Sequence, residues 1–149
     1  MTLRWLVAAF HLVALALGAS AIVARARALR TVRDATDLPA VFRADNLWGV
    51  AAVLWLVTGA WRAFGGLEKG AAYYLGNPLF HAKLGLFLVI LLLEIWPMAT
   101  LFRWRGARRR GAAVDLTKAK TFARISDAQL GLLIVMIFLA TAIARGLGG

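Results

Sequence analysis

The sequence predicts an all-α fold, an integral membrane four-helix bundle. Three observations carry that prediction. Hydrophobic residues make up 62% of the 149-residue chain, against roughly 45–50% in soluble domains. The apolar residues gather into four runs of about 17–25 residues, the length of a helical membrane span. Most of the charges lie in the connections between those runs. A single transmembrane domain over residues 1–149 is the expected organisation.

The first span is expected at residues 3–24. Its basic cluster follows the apolar run, and only Arg4 precedes it. That polarity favours a span over a cleaved leader. Ala14, Gly18 and Ala21 follow His11 at i+3, i+7 and i+10 and share its side. Such a stripe of small residues lets helices approach closely in lipid.

The second span is expected at residues 47–64, with Asp45 or Asn46 as its cap. It presents a face of Trp48, Ala52, Trp55, Gly59 and Arg62. Trp55 lies near mid-span, where it can pack in the core or stand against a flat cofactor. Trp61, Trp96 and Trp104 suit interfacial anchoring instead. The third span is expected at residues 79–102, kinked by Pro97. The fourth is expected at residues 129–147, and a short interfacial helix is expected over residues 114–125.

The connections at residues 25–45 and 103–128 carry thirteen of the 18 Lys and Arg. The positive-inside rule places both in the cytoplasm, with both termini outside. The same rule explains the net charge of +11 and the stretch "RWRGARRRGAAVDLTKAKTFARISDAQ" without a nucleic-acid partner. Lipid headgroups are the expected contact of these loops. With no cysteine and only two histidines, an all-protein zinc site of the usual kind is excluded.

Ionisable residues inside spans are functional candidates by default. His11 lies about 12 Å along the first helix by helical rise, and His81 lies at the same end of the third. Two neutral imidazoles from different helices can ligate a metal or a haem iron in a bundle core. At about 100° per residue, His81 and Lys83 stand about 200° apart, whereas Lys83 and Glu94 return to within about 20°. The third helix thus has one face with His81, Gly85, Leu88 and Leu92, and another with Lys83, Phe87, Ile90 and Glu94. Lys83 can snorkel to water. Glu94 is deeper, and is expected either protonated or paired with Arg25 or Arg27. A proton-relay role is its alternative. Gly85, one turn below His81, would admit a flat ligand.

The strings "AAFHLVALALG", "RADNLWGVAAVLWLVTGAWRAFGGLEKGAAYYLGNPLFHAKLGL" and "LEIWPMATLFRWR" resemble a family of small bacterial inner-membrane proteins defined as a domain of unknown function. The histidine in helix 1, with Phe80, His81, Lys83 and Leu84 opening helix 3, also resembles J-type protoporphyrinogen oxidase and, more distantly, the copper-resistance D membrane proteins. That resemblance implies haem b held by His11 and His81, with Gly85 and Trp55 lining the site. It implies electron transfer or tetrapyrrole oxidation, with a membrane redox partner. Glu94, Lys83 and Arg62 are the candidate proton or charge groups. This chain has arginines and Glu94 where the oxidase has further histidines. The competing expectations are a cofactor-free accessory subunit of a larger membrane complex and a small transporter. No soluble-enzyme motif decides between them.

Overall fold

The computed structural model describes residues 2–148. Five helices follow in order: α1 (Thr2–Thr31), α2 (Leu38–Phe64), α3 (Ala71–Gly76), α4 (Pro78–Arg109) and α5 (Ala119–Ala144). Among them α1, α2, α4 and α5 are long and apolar enough to cross a membrane. The fold is an all-α integral membrane four-helix bundle, with α3 as a short element between α2 and α4.

Every span outruns its apolar stretch, because the helices continue beyond the hydrophobic runs. The segment expected as loop 25–45 contains the last turns of α1 and the first two turns of α2. Pro39 sits at the start of α2, where its missing N–H costs nothing. Asp45 and Asn46 are therefore two turns inside the helix and cap nothing. Helix α4 runs through Pro97 and on through a Trp-Arg-rich stretch to Arg109, since arginine is a good helix former. It stops at Gly111, whose φ of +67° suits glycine. There Gly111 N–H donates to the Arg108 carbonyl and Ala112 N–H to that of Ala107, a Schellman ending. No interfacial helix forms over 114–125. Its second half is the first turns of α5, with Phe122, Ala123 and Ser126 buried.

Helix α4 starts from Asn77, whose side-chain oxygen accepts from Leu79 N–H at 2.9 Å and Phe80 N–H at 3.3 Å. This N-cap satisfies donors that the helix itself leaves open. The two basic connections each hold a short turn built on an aspartate. Asp34 accepts from the hydroxyl and backbone N–H of Thr36, and Asp115 from the N–H of Thr117. These bonds hold both carboxyls below the ordinary aspartate range.

Many large apolar side chains face outward, while small residues are buried at helix contacts. Val53, Leu88, Leu92 and Phe138 are exposed, whereas Ala14, Ala21, Ala26, Ala44 and Ala51 are buried. That arrangement suits lipid, where close backbone packing and polar contacts replace the hydrophobic drive. Gly18 is one such place between α1 and α2. A Cβ built there would lie 3.2 Å from the Trp48 ring and 3.6 Å from the Ala51 methyl.

The spans are arranged as a ring with one weak seam. Helix α2 packs along α1, α1 against α5, and α5 against α4, whereas α2 and α4 approach one another little. At the end of the bundle bearing the two basic connections, a core of Leu29, Leu38, Val41, Leu101, Trp104 and Phe122 closes all four helices together. Trp104 belongs to that core rather than to an interfacial belt; Trp61 and Trp96 remain about half exposed. Between that core and a smaller one of Ala63, Phe80 and Ile143 near the termini, the seam between α2 and α4 holds a cavity.

Candidate functional site

Two polar sites lie inside the bundle. The deeper one is built around Arg25 of α1, which is fully buried. Arginine carries five N–H donors in a planar fork, and all five are used. Nε donates to Ser126 Oγ at 3.2 Å, and one terminal nitrogen donates to Asp45 at 3.0 Å and Glu94 at 2.6 Å. The other donates to Glu94 at 2.8 Å and Gln129 at 2.8 Å. Glu94 thus takes the paired, two-point arrangement that makes arginine–carboxylate contacts strong and directional. Gln129 returns its amide to Glu94 at 2.8 Å and to the Ile90 carbonyl at 3.2 Å. Asp45 uses its second oxygen on Arg105 at 2.8 Å.

The cluster joins all four spans: α1 through Arg25, α2 through Asp45, α4 through Glu94 and Arg105, and α5 through Ser126 and Gln129. Two cations face two carboxylates, so the formal charge of the group is zero. Of the two arginines open to Glu94 on sequence grounds, Arg25 takes the pair and Arg27 does not. Sequence reading missed Asp45, Ser126 and Gln129. The available signal was that each span carries a polar residue at a matching depth, which became visible only once Asp45 was inside a helix.

The second site lies in the α2–α4 seam. It is a cavity of about 80 Å³ lined by His11, Trp55, Gly59, Phe64, Lys83 and Phe87, with Leu56, Ala63, Phe80, Leu84 and Met136. His11 Nδ1 lies 2.9 Å from Thr58 Oγ1. The Thr58 hydroxyl has one hydrogen, which points to the Leu54 carbonyl at 2.7 Å. Nδ1 therefore carries the imidazole proton and donates to Thr58, which leaves the Nε2 lone pair open. The imidazole stacks on Trp55 with ring centres 5.6 Å apart and planes 18° apart. Phe87 meets the other side of that indole edge-on at 5.7 Å. Gly59 makes room, since a Cβ there would lie 3.1 Å from the His11 ring. The indole N–H of Trp55 is buried without a partner. Lys83, half-buried in the wall, has no hydrogen-bond or salt-bridge partner among the described residues. Arg62, one turn beyond Gly59, is held by Glu68 at 2.9 Å and 3.1 Å.

His81 and Gly85 do not join this site. Both are exposed on the outer face of α4, and nothing lies within 4 Å of a Cβ built on Gly85. His81 Nε2 instead donates to the Leu75 carbonyl at 2.8 Å, beyond the end of the seam. The reason is rotational. Glu94 must face the interior to meet Arg25, and helical phase carries Lys83, Phe87 and Ile90 inward with it. The face bearing His81, Gly85, Leu88 and Leu92 is then turned to lipid. A six-coordinate haem needs two imidazole nitrogens aimed at one iron. Here the two rings have separate partners, Thr58 on α2 and Leu75 on α3. A cavity of about 80 Å³ is also well below the roughly 300–1,000 Å³ of sites for larger ligands. The residues present do not fit a tetrapyrrole held by His11 and His81. Among the described residues no group of three or more His, Cys, Asp or Glu is placed to hold a metal ion.

Beyond the seam, α3 and the end of α5 close the bundle. Lys69 Nζ and the Tyr73 hydroxyl both donate to the Ile143 carbonyl at 3.2 Å, and the Asn77 amide donates to that of Leu147 at 3.1 Å. Tyr74 packs on Phe80 with ring centres 5.1 Å apart, and burial, with Glu68 nearby, raises its phenol above the ordinary tyrosine range.

No curated protein and no solved structure matches the chain, so the similarity to J-type protoporphyrinogen oxidase and the copper-resistance D proteins gains no support there. Residues 3–148 do match a family model. With four apolar spans and nearly the whole chain inside that match, the protein belongs to the family described as "Predicted membrane protein (DUF2214)", a domain of unknown function.

Proposed function

We propose that this protein is a membrane-embedded binding module. The Arg25 cluster holds the four helices in fixed rotation, and the α2–α4 seam receives a small guest dissolved in the bilayer. One observation carries the reading: where α2 and α4 approach one another little, a cation, an imidazole and the Trp55 side chain line a common cavity. Concave, mostly apolar sites with a few convergent polar groups are the usual form of a small-molecule site. Haem b would need His11 and His81 on one iron, and no electron-transfer step is assigned to the chain.

A photoreactive phenylalanine at Leu84, on the rim of the seam, tests the reading in native membranes. The expected product is an adduct of a few hundred daltons. A protein-sized adduct in its place would favour an accessory subunit of a larger complex, and no adduct would sink both. The same purified material should show no reduced-minus-oxidised α-band that His11→Ala and His81→Ala each abolish. Such a band would restore the haem reading.

The bacterial inner membrane is the proposed location, since spanning helices rather than a closed barrel suit it. The proposed orientation puts both basic connections in the cytoplasm and both termini in the periplasm, supported by the thirteen Lys and Arg on one side. The chain has no cysteine, so single cysteines report cleanly. In intact cells a membrane-impermeant maleimide should label Gly66→Cys and spare Ala112→Cys. Labelling in the opposite sense would invert the orientation.

A further inference from the structure

We propose that the guest of the α2–α4 seam is the carboxyl head of a long-chain amphiphile, seated between Lys83 and His11 with its chain leaving toward lipid past Leu56 and Leu84. This rests on the binding-module reading and names the chemistry of the same cavity.

Charge pairing supplies the first argument. Arg25 and Arg105 meet Glu94 and Asp45, Arg62 meets Glu68, and Lys69 meets Tyr73 and the Ile143 carbonyl. Lys83 lines an apolar cavity with no such partner among the described residues. Ionisable groups within a span are functional candidates by default, and the chain leaves the Lys83 ammonium open to an acceptor brought by a guest.

His11 supplies the second. Thr58 takes its Nδ1 proton, so Nε2 presents a lone pair. A fatty acid dissolved in the bilayer carries its proton. On entering, the acid O–H donates a hydrogen bond to His11 Nε2 and keeps its proton, while its carbonyl oxygen accepts from the Lys83 ammonium, and no covalent bond changes. The ammonium donor is charged, which places that hydrogen bond in the stronger class.

Shape supplies the third. About 80 Å³ suits a planar carboxyl group and its first methylenes better than a tetrahedral phosphate with its glycerol. Phe64 and Phe87 line the way out, and the exposed Leu56 and Leu84 form an apolar rim open to lipid chains.

The test is binding of radiolabelled palmitate to the full chain in nanodiscs, beside hexadecanol and phosphatidic acid as probes. Palmitate should bind to the parent protein and at least about tenfold more weakly to Lys83→Met. Lys83→Arg and Lys69→Met should retain it, and Leu84→Trp, which fills the rim, should lose it. Unchanged thermal unfolding of Lys83→Met shows that the loss is not misfolding. Equal binding of palmitate and hexadecanol, indifferent to Lys83→Met, would overturn the carboxyl assignment and leave the binding-module reading standing. Preference for phosphatidic acid would overturn it in favour of a phosphate head. Failure of every probe, together with no adduct at Leu84, would remove the binding-module reading itself.

Discussion

Arg25→Met should unfold the purified protein on the order of 10 °C below the parent. Removing one partner of a buried ion pair costs about 3–5 kcal/mol, because the other charge is left buried and unpaired. For a chain of this size each kcal/mol shifts the midpoint by roughly 2–4 °C. The cost here arises from Glu94 and Asp45, which lose their shared cation at once, and from Gln129 and Ser126, which lose a donor. A single interhelical hydrogen bond in a membrane averages only about 0.6 kcal/mol, so the charge imbalance dominates. The compensated variant separates the two effects. Arg25→Met with Glu94→Gln leaves Asp45 paired with Arg105 and restores neutrality, so it should recover more than half of the loss. Equal unfolding temperatures for the single and double variants would show that imbalance is not the cause.

Phe122→Ala should be comparably damaging, at about 3–5 kcal/mol for deleting a fully buried phenyl ring. Phe122 is 0% exposed. It meets Trp96 edge-on at 5.2 Å and Trp104 at 5.9 Å, so its removal leaves a void between α4 and α5 that two large rings border. Because van der Waals packing holds membrane helices together, such a void counts in lipid as it does in water. The control is Phe138→Ala on the same helix. Phe138 is 71% exposed and should change the unfolding temperature little. A Phe122→Ala protein as stable as Phe138→Ala would mean that the basic end of the bundle repacks freely.

The fold was legible because hydropathy reports on the membrane directly. The helix ends were not, because apolar runs mark where lipid is and not where hydrogen bonding stops. Thr-Asp-Leu-Pro at residues 36–39 and Arg-Arg-Gly at residues 109–111 are local start and stop signals that lie outside any apolar run. Overlooking them placed Asp45 in a loop and hid half of the Arg25 cluster. The phase argument for the third span correctly separated its two faces, with Lys83 and Glu94 together. It could not say which face was inward, since that depends on where Arg25 stands on another helix. Histidine chemistry favoured the His81 face, and the stronger demand of the Glu94 charge turned the helix the other way. His11 and Trp55 stack on one another, while Thr58, which fixes the imidazole proton, was not anticipated. A threonine inside an apolar run has no distinctive pattern of its own.

The neutral cluster also has a meaning for biogenesis. Arg25 is made first and enters the bilayer on α1 with no counter-ion. The next span brings Asp45, which is 3.0 Å from Arg25 in the finished bundle. The α1–α2 hairpin can therefore leave the insertion machinery with its internal charge already matched. Helix α4 then arrives with Glu94 and Arg105 together, a pair that adds no net charge. Each half of the cluster is balanced as it is delivered, so the order of synthesis and the order of charge pairing coincide.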